Sequence, residues 1–298
     1  LIIEPNHENI PKELIRNKKF YFYNDLAKIE NSNVFDIIVL AVKPQVMKDV
    51  VIQLSKLNIK SNAWLSIAAG LSVNFFENYL GHNQAIIRTI PNTPSSVLKG
   101  ITAMYFNTNC NSQIIENAEL LMNAVGETIK VNDEELMDAY TAVSGSGPAY
   151  IYYMVEAMID AGIKIGIDPD NAKKLAEKTL VGSAYLLENR NVDAQELRKA
   201  VTSPKGTTEA GLEVLMKDNN FFNLVKNAIN EAKNRGKDLG KLQSWIYSMF
   251  EKKIKHQMSL SISILELLAE KEYEEINSDF IVKNSKIKNN DSYIWMAD

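Results

Sequence analysis

Cysteine is all but missing from this chain: Cys110 stands alone among 298 residues. A disulfide within the chain is excluded, and so is a metal cluster built on thiolates. Histidine is nearly as scarce, with only His7, His82 and His256, and no metal site is expected. There is no surplus of positive charge, since 33 Lys and Arg face 37 Asp and Glu for a net charge of −4. The pI near 5.6 therefore speaks against nucleic acid or an anionic membrane as partner. No apolar run approaches eighteen residues, and no basic segment precedes an apolar stretch at the start. Neither a membrane span nor a signal peptide is expected, and a cytoplasmic location is. An initiating methionine is also lacking. The chain opens on Leu1 within the strand-like "LIIEP", so a beginning further upstream is expected.

What is present is a large apolar fraction, 46%, with 23% charged residues, enough for one large or two ordinary domains. Short β-rich runs occur at 1–5, 19–24, 36–44, 63–70, 85–90, 101–106 and 127–132. Several are unbroken Ile, Val and Leu stretches, as in strands buried on both faces. Helical patterns at 44–57 and 112–126 sit between them, which predicts an α/β domain with a largely parallel sheet over residues 1–133. Beyond it only helices are read, at 133–143, 148–165, 169–189, 193–201, 208–217 and 220–238. These define an all-helical domain over 134–242, followed by a tail of different texture over 243–298.

Two polar, glycine-bearing helix entrances mark the helical half. The first, "VSGSGPAYIYYMVEAMIDAG" (143–162), places Gly145 and Gly147 before a long helix. A dinucleotide cradle needs a third glycine at position 150, which is tyrosine, and a strand in front, where a helical pattern stands. A helix–helix turn fits better, with glycine at positive φ, Ser146 capping and Pro148 in the first turn. The helix that follows is apolar nearly all round apart from Glu156, Asp160 and Lys164, as suits an intersubunit bundle. The second entrance, "VTSPKGTTEAGLEVL" (201–215), gathers Thr202, Ser203, Thr207 and Thr208 around Pro204 and Gly206. Hydroxyls and free N–H groups there suit a small carboxylate, although a capped turn accounts for the same residues. In the α/β half, "LAVKPQ" (40–45) and "IRTIPNTPSSV" (87–97) end apolar runs on polar residues. Lys43, Arg88 and Asn92 would then line one cleft beyond the carboxyl ends of the strands.

These segments, with "SIAAGLS" (66–72), occur in an order and spacing that resemble the pyrroline-5-carboxylate reductase family over residues 1–241. The resemblance implies a Rossmann-type domain followed by an all-α dimerisation domain that interlocks with a second subunit, as a homodimer or a ring of dimers. It implies reduction of 1-pyrroline-5-carboxylate to L-proline with NADPH or NADH, the last step of proline biosynthesis. It places Glu4, Ala41, Val42, Lys43, Pro44 and Asn92 against the cofactor. Ser203, Gly206, Thr207 and Thr208 would hold the substrate carboxylate, with Ser144 and Gly145 closing the pocket. Thr208, bonded to the ring nitrogen, becomes the catalytic candidate. Glu4, where a ribose 2′-hydroxyl would bind, implies a modest NADH preference.

Two departures accompany the resemblance. Lys205 stands where the family usually has glycine. The family's first strand and glycine-rich turn are missing from these residues, so weak cofactor binding by this chain is the expectation. Two other readings stay open: a catalytically dead chain serving only as a helical dimerisation module, and a β-hydroxyacid dehydrogenase-like oxidoreductase. The segment 258–287 faintly resembles the opening of a TetR-type helix-turn-helix, but residues 258–298 hold four Lys and eight Asp or Glu, against DNA binding.

Overall fold

The computed structural model describes residues 1–254, except residues 7, 9, 11, 17, 19 and 30–33. The helix-turn-helix likeness at 258–287 lies outside the described residues. The chain divides into two compact units, Leu1–Asp138 with Gly236–Asp298, and Ala139–Arg235.

The first unit runs β1 (Ile2–Ile3), α1 (Lys12–Ile15), β2 (Phe22–Tyr23), β3 (Val34–Phe35), β4 (Ile38–Leu40), α2 (Pro44–Lys56), β5 (Lys60–Ser61) and β6 (Trp64–Ser66). It continues through α3 (Val73–Leu80), β7 (Ile86–Ile90), β8 (Gly100–Phe106), α4 (Ser112–Asn123), β9 (Gly126–Lys130) and the start of α5 (Met137–Tyr140). The main sheet has the order β4-β6-β7-β8-β9, while β1 pairs with β2 and β3 with β5. Every pairing is parallel except β7 with β8. The exception has a plain cause: only residues 91–99 separate those strands, and a parallel return needs a crossover of about a dozen residues or more.

Alternation along the central strands sends neighbours to opposite faces. Trp64 and Ile86 join one core with Met47, Val51, Leu54, Phe75 and Phe76 from α2 and α3. Leu65 and Ile87 join the other with Met104 and with Ala118 and Met122 of α4. Two helical layers thus sandwich the sheet, and all five residues of β7 are buried. Helix α3 was not anticipated, because its eight residues hold two adjacent phenylalanines that mimic a strand. Ser72 Oγ accepts from Phe75 N–H at 3.3 Å, and Gly81, at φ 109°, ends the helix.

Gly100 and Gly126 are register partners at the start of β8 and β9. A Cβ on Gly126 would fall 2.0 Å from the Gly100 carbonyl oxygen. Backbone therefore fills the space where a side chain would stand.

Burial pushes the Cys110 thiol up to about 11, against weaker opposing contributions from the backbone at Asn107 and Ile86. At neutral pH the thiolate is scarcer by about two decades than in an ordinary cysteine. Folded protein should label with iodoacetamide about 100-fold more slowly than urea-unfolded protein at pH 8. Equal rates would contradict this burial. The sign for stability follows, since the folded state keeps its proton longer than the unfolded state. Stability therefore falls as pH rises from about 9 to about 11.

The second unit holds the rest of α5, then α6 (Gly147–Lys164), α7 (Pro169–Asn189), α8 (Ala194–Ala200), α9 (Thr207–Met216) and the start of α10 (Asn220–Ile254). Asp168 and Asp193 cap α7 and α8 by accepting from Asn171 and Glu196 N–H. Helices α6 and α7 approach closely through small residues, where a Cβ on Gly162 would stand 3.3 Å from Ala172 Cβ. No residue of α6 is buried within the chain, and Tyr153 and Tyr185 stay 73% and 65% exposed. Glu156, Asp160 and Lys164 form the polar stripe of α6, the last two as an exposed ion pair.

Candidate functional site

In the α/β unit, the strands β4, β6 and β7 lie parallel with Leu40, Ser66 and Arg88 in register. Ala41–Lys43 and Asn92 consequently leave the sheet at the same carboxyl edge, the edge where open α/β sheets bind ligands. Lys43 is the N-cap of α2 and Pro44 its first residue, whose locked φ suits that position. Asn92 is 9% exposed, and its Oδ1 accepts from Ile101 N–H at 2.9 Å. Glu4 follows β1 and is buried, with Oε1 accepting from Asn6 N–H at 2.9 Å. Glu4, Ala41 and Val42 share the wall of one cavity of about 500 Å³. Its walls carry Ile2–Glu4 from the β1 side and Ile37–Val42 from the β4 side; Lys43, Pro44 and Asn92 are not among its lining residues.

Arg88 does not line a cleft. Its side chain is buried, donates to Glu134 Oε1 at 3.0 Å and lies 3.6 Å from Asp138 Oδ1. Sequence reasoning missed this cluster, although a charge inside a run as apolar as "IIRTI" already demanded a buried partner.

The two glycine-bearing turns of the helical unit differ from each other. Residues Thr141–Gly145 form a single π-helical turn, closed by Ser146 N–H on the Thr141 carbonyl at 2.8 Å. Ser144 Oγ donates to the Tyr140 carbonyl at 2.9 Å. Neither Gly145 nor Gly147 has positive φ, and Ser146 makes no side-chain cap. The expected cap is replaced by a widened turn and a bend at Ser146, which link α5 to α6. Such turns concentrate at functional positions.

Around Ser203–Thr208 the backbone itself is specialised. The Ser203 carbonyl accepts from Gly206 N–H at 3.0 Å, with Pro204 second and Lys205 third in the turn. The third residue of this turn type needs positive φ, and Lys205 has φ 61°. A lysine there carries roughly 1 kcal/mol of strain that glycine avoids. Its N–H donates to Glu209 Oε2 at 2.6 Å. A Cβ on Gly206 would lie 2.9 Å from the Ser203 carbonyl oxygen, so this glycine is required by space. Helix α9 begins at Thr207, and its first regular bond is Ala210 N–H to the Gly206 carbonyl. The N–H groups of Thr207, Thr208 and Glu209 therefore have no acceptor within the helix. Ser203, Thr207 and Thr208 are exposed, which leaves three hydroxyls beside those amides. Thr202 turns away, donating to the Arg198 carbonyl at 2.6 Å. This is the chemistry of an uncharged anion site.

Among the described residues no group of His, Cys, Asp and Glu is placed to hold a metal ion, and no helix is long and apolar enough to cross a membrane.

Residues 134–239 match the family model for pyrroline-5-carboxylate reductase dimerisation. The exposed apolar side chains of α6 and α7 agree with a self-associating unit. A pyrroline-5-carboxylate reductase of Pseudomonas aeruginosa is 40% identical over 204 residues, covering 68% of this chain and 74% of the relative. The Haemophilus influenzae reductase is 36% identical over 247 residues, covering 80% and 87%. Among solved structures, the Coxiella burnetii enzyme superposes with a TM-score of 0.69 at 35% identity, covering 74% of this chain and 81% of that one. The Plasmodium falciparum enzyme, solved with NADP bound, gives 0.61 at 33%, covering 68% and 79%. With relatives 36–40% identical over 68–80% of its length, the chain belongs to the pyrroline-5-carboxylate reductase family.

Proposed function

We propose that this protein reduces 1-pyrroline-5-carboxylate to L-proline with NAD(P)H as a cytoplasmic homodimer or ring of dimers. The observation that carries the reading is the α9 entrance, where three hydroxyls and unpaired amides present donors to a small carboxylate without a fixed cation. The reduced nicotinamide supplies the hydride. Ala41 and Val42 have side chains small enough to let a flat ring approach the carboxyl edge of the sheet, with Lys43, Pro44 and Asn92 around it. Ser203, Gly206, Thr207 and Thr208 grip the carboxylate, Ser144 and Gly145 bound the pocket, and the Thr208 hydroxyl stands at the ring nitrogen. The iminium carbon accepts the hydride and its nitrogen becomes the secondary amine, so the protein needs orientation more than an acid–base pair. That agrees with the absence of histidine from these segments. Glu4 favours a free ribose 2′-hydroxyl over a 2′-phosphate, and hence NADH. The dead-module and β-hydroxyacid dehydrogenase alternatives are not better supported.

The test is oxidation of NADH and NADPH on addition of pyrroline-5-carboxylate. It is run on residues 1–298 and on the same chain carrying the N-terminal residues of the Pseudomonas aeruginosa relative. Imine-dependent oxidation, faster with NADH, is expected. A folded, self-associated protein inactive in both forms with both cofactors would overturn the reading.

A further inference from the structure

The chain passes between its two units twice, at Asp138–Ala139 and again at Arg235–Gly236; the first crossing meets one buried guanidinium, and the second packs on a carboxylate that this guanidinium holds. Arg88 is 6% exposed in the middle of β7. Its Nη1 donates to Glu134 Oε1 at 3.0 Å, and its Nη2 lies 3.6 Å from Asp138 Oδ1. Glu134 Oε1 also accepts from Val73 N–H, at 2.8 Å, which ties the start of α3 to the same point. The returning crossing packs on the same carboxylate, for a Cβ on Gly236 would lie 3.3 Å from Asp138 Oδ1 and 3.4 Å from its Cγ.

Sheet packing alone does not call for this charge. An apolar residue fills a buried strand position at no desolvation cost, and Arg88 even leaves its Nε without a partner. What an arginine adds is a rigid fork able to hold two carboxylates at once. We propose that Arg88 is a positioning residue: by gripping Glu134 and Asp138 it fixes the segments that leave and re-enter the first unit to the strand that leads into Asn92, so that the groups at that edge of the sheet keep a set geometry. This rests on the imine-reductase reading above, and its test includes a readout independent of turnover.

Two variants separate grip from charge. Arg88→Lys keeps the charge and loses the fork, whereas Gly236→Ala keeps every charge and displaces Asp138. Amide hydrogen exchange by mass spectrometry should quicken about tenfold at residues 134–146 and 230–240 in both variants, with β6 and β7 protected as in the parent. In the same proteins kcat should fall on the order of tenfold to 100-fold, as expected for misplaced reactants, with substrate and cofactor KM within about twofold. Unchanged exchange at the crossings overturns the proposal, and so does a uniform rise through β6 and β7, which marks simple destabilisation. Loosened crossings with undiminished kcat overturn it as well. If the parent shows no imine-dependent NAD(P)H oxidation, the functional reading has failed, and the exchange result alone decides whether Arg88 holds the crossings.

Discussion

Replacing Thr208 by alanine should lower kcat/KM for imine reduction by about 10²–10³-fold, the cost of removing one donor aimed at the reacting group. The residue is well placed for a clean experiment. It is exposed in the first turn of α9, and alanine is the better helix former. Its hydroxyl has no hydrogen-bond partner in the chain among the described residues. Stability should therefore stay within about 0.5 kcal/mol of the parent, as for a surface change away from special features. Thr208→Ser, which keeps the hydroxyl, should recover most of the activity. Steady-state kinetics of the three proteins beside their thermal midpoints check this. A Thr208→Ala enzyme with undiminished kcat/KM would remove the residue from the reaction.

Gly126→Ala should be the most damaging small substitution in the α/β unit, at about 3–5 kcal/mol, summing a strained backbone and overpacking against atoms that cannot turn aside. Gly126 has φ 150°, and the new methyl would meet the carbonyl oxygen, carbon and nitrogen of Gly100 at 2.0–2.6 Å. Gly81 supplies the control. It too has positive φ, at 109°, but a Cβ there has nothing within 4 Å. Gly81→Ala should thus show the conformational cost alone, on the order of 1 kcal/mol. Urea denaturation of both variants separates the two contributions. Equal midpoints would mean that β8 and β9 spread apart without penalty.

Much of the α/β unit was legible from its strands, because buried β7 and β6 leave unbroken apolar runs in the sequence. The helical boundaries at α6, α7 and α9 were legible for a similar reason, each opening on proline, aspartate or glycine. The antiparallel β8 was hidden, since direction depends on the length of the link at 91–99 and not on strand composition. The partner of Arg88 was hidden too. Glu134 and Asp138 stand among other acids in "NDEELMD", and only the tertiary structure selects them. At the candidate site, the hydroxyls of Ser203, Thr207 and Thr208 could be read directly, whereas the turn that aims them depends on the left-handed conformation of Lys205. Nothing in a lysine announces that conformation.

The widened turn at Thr141–Gly145 has a consequence for the helix after it. An α-helix advances about 100° per residue, and a π turn holds one residue more than the regular repeat. Shortening this segment by a single residue would remove the extra residue and the widened turn together and leave Ile151, Tyr152 and Met158 close to their present azimuth, whereas deleting a residue from the regular winding at 147–150 would swing them by about 100°. The widened turn thus takes up a spare residue without turning the apolar stripe offered for pairing.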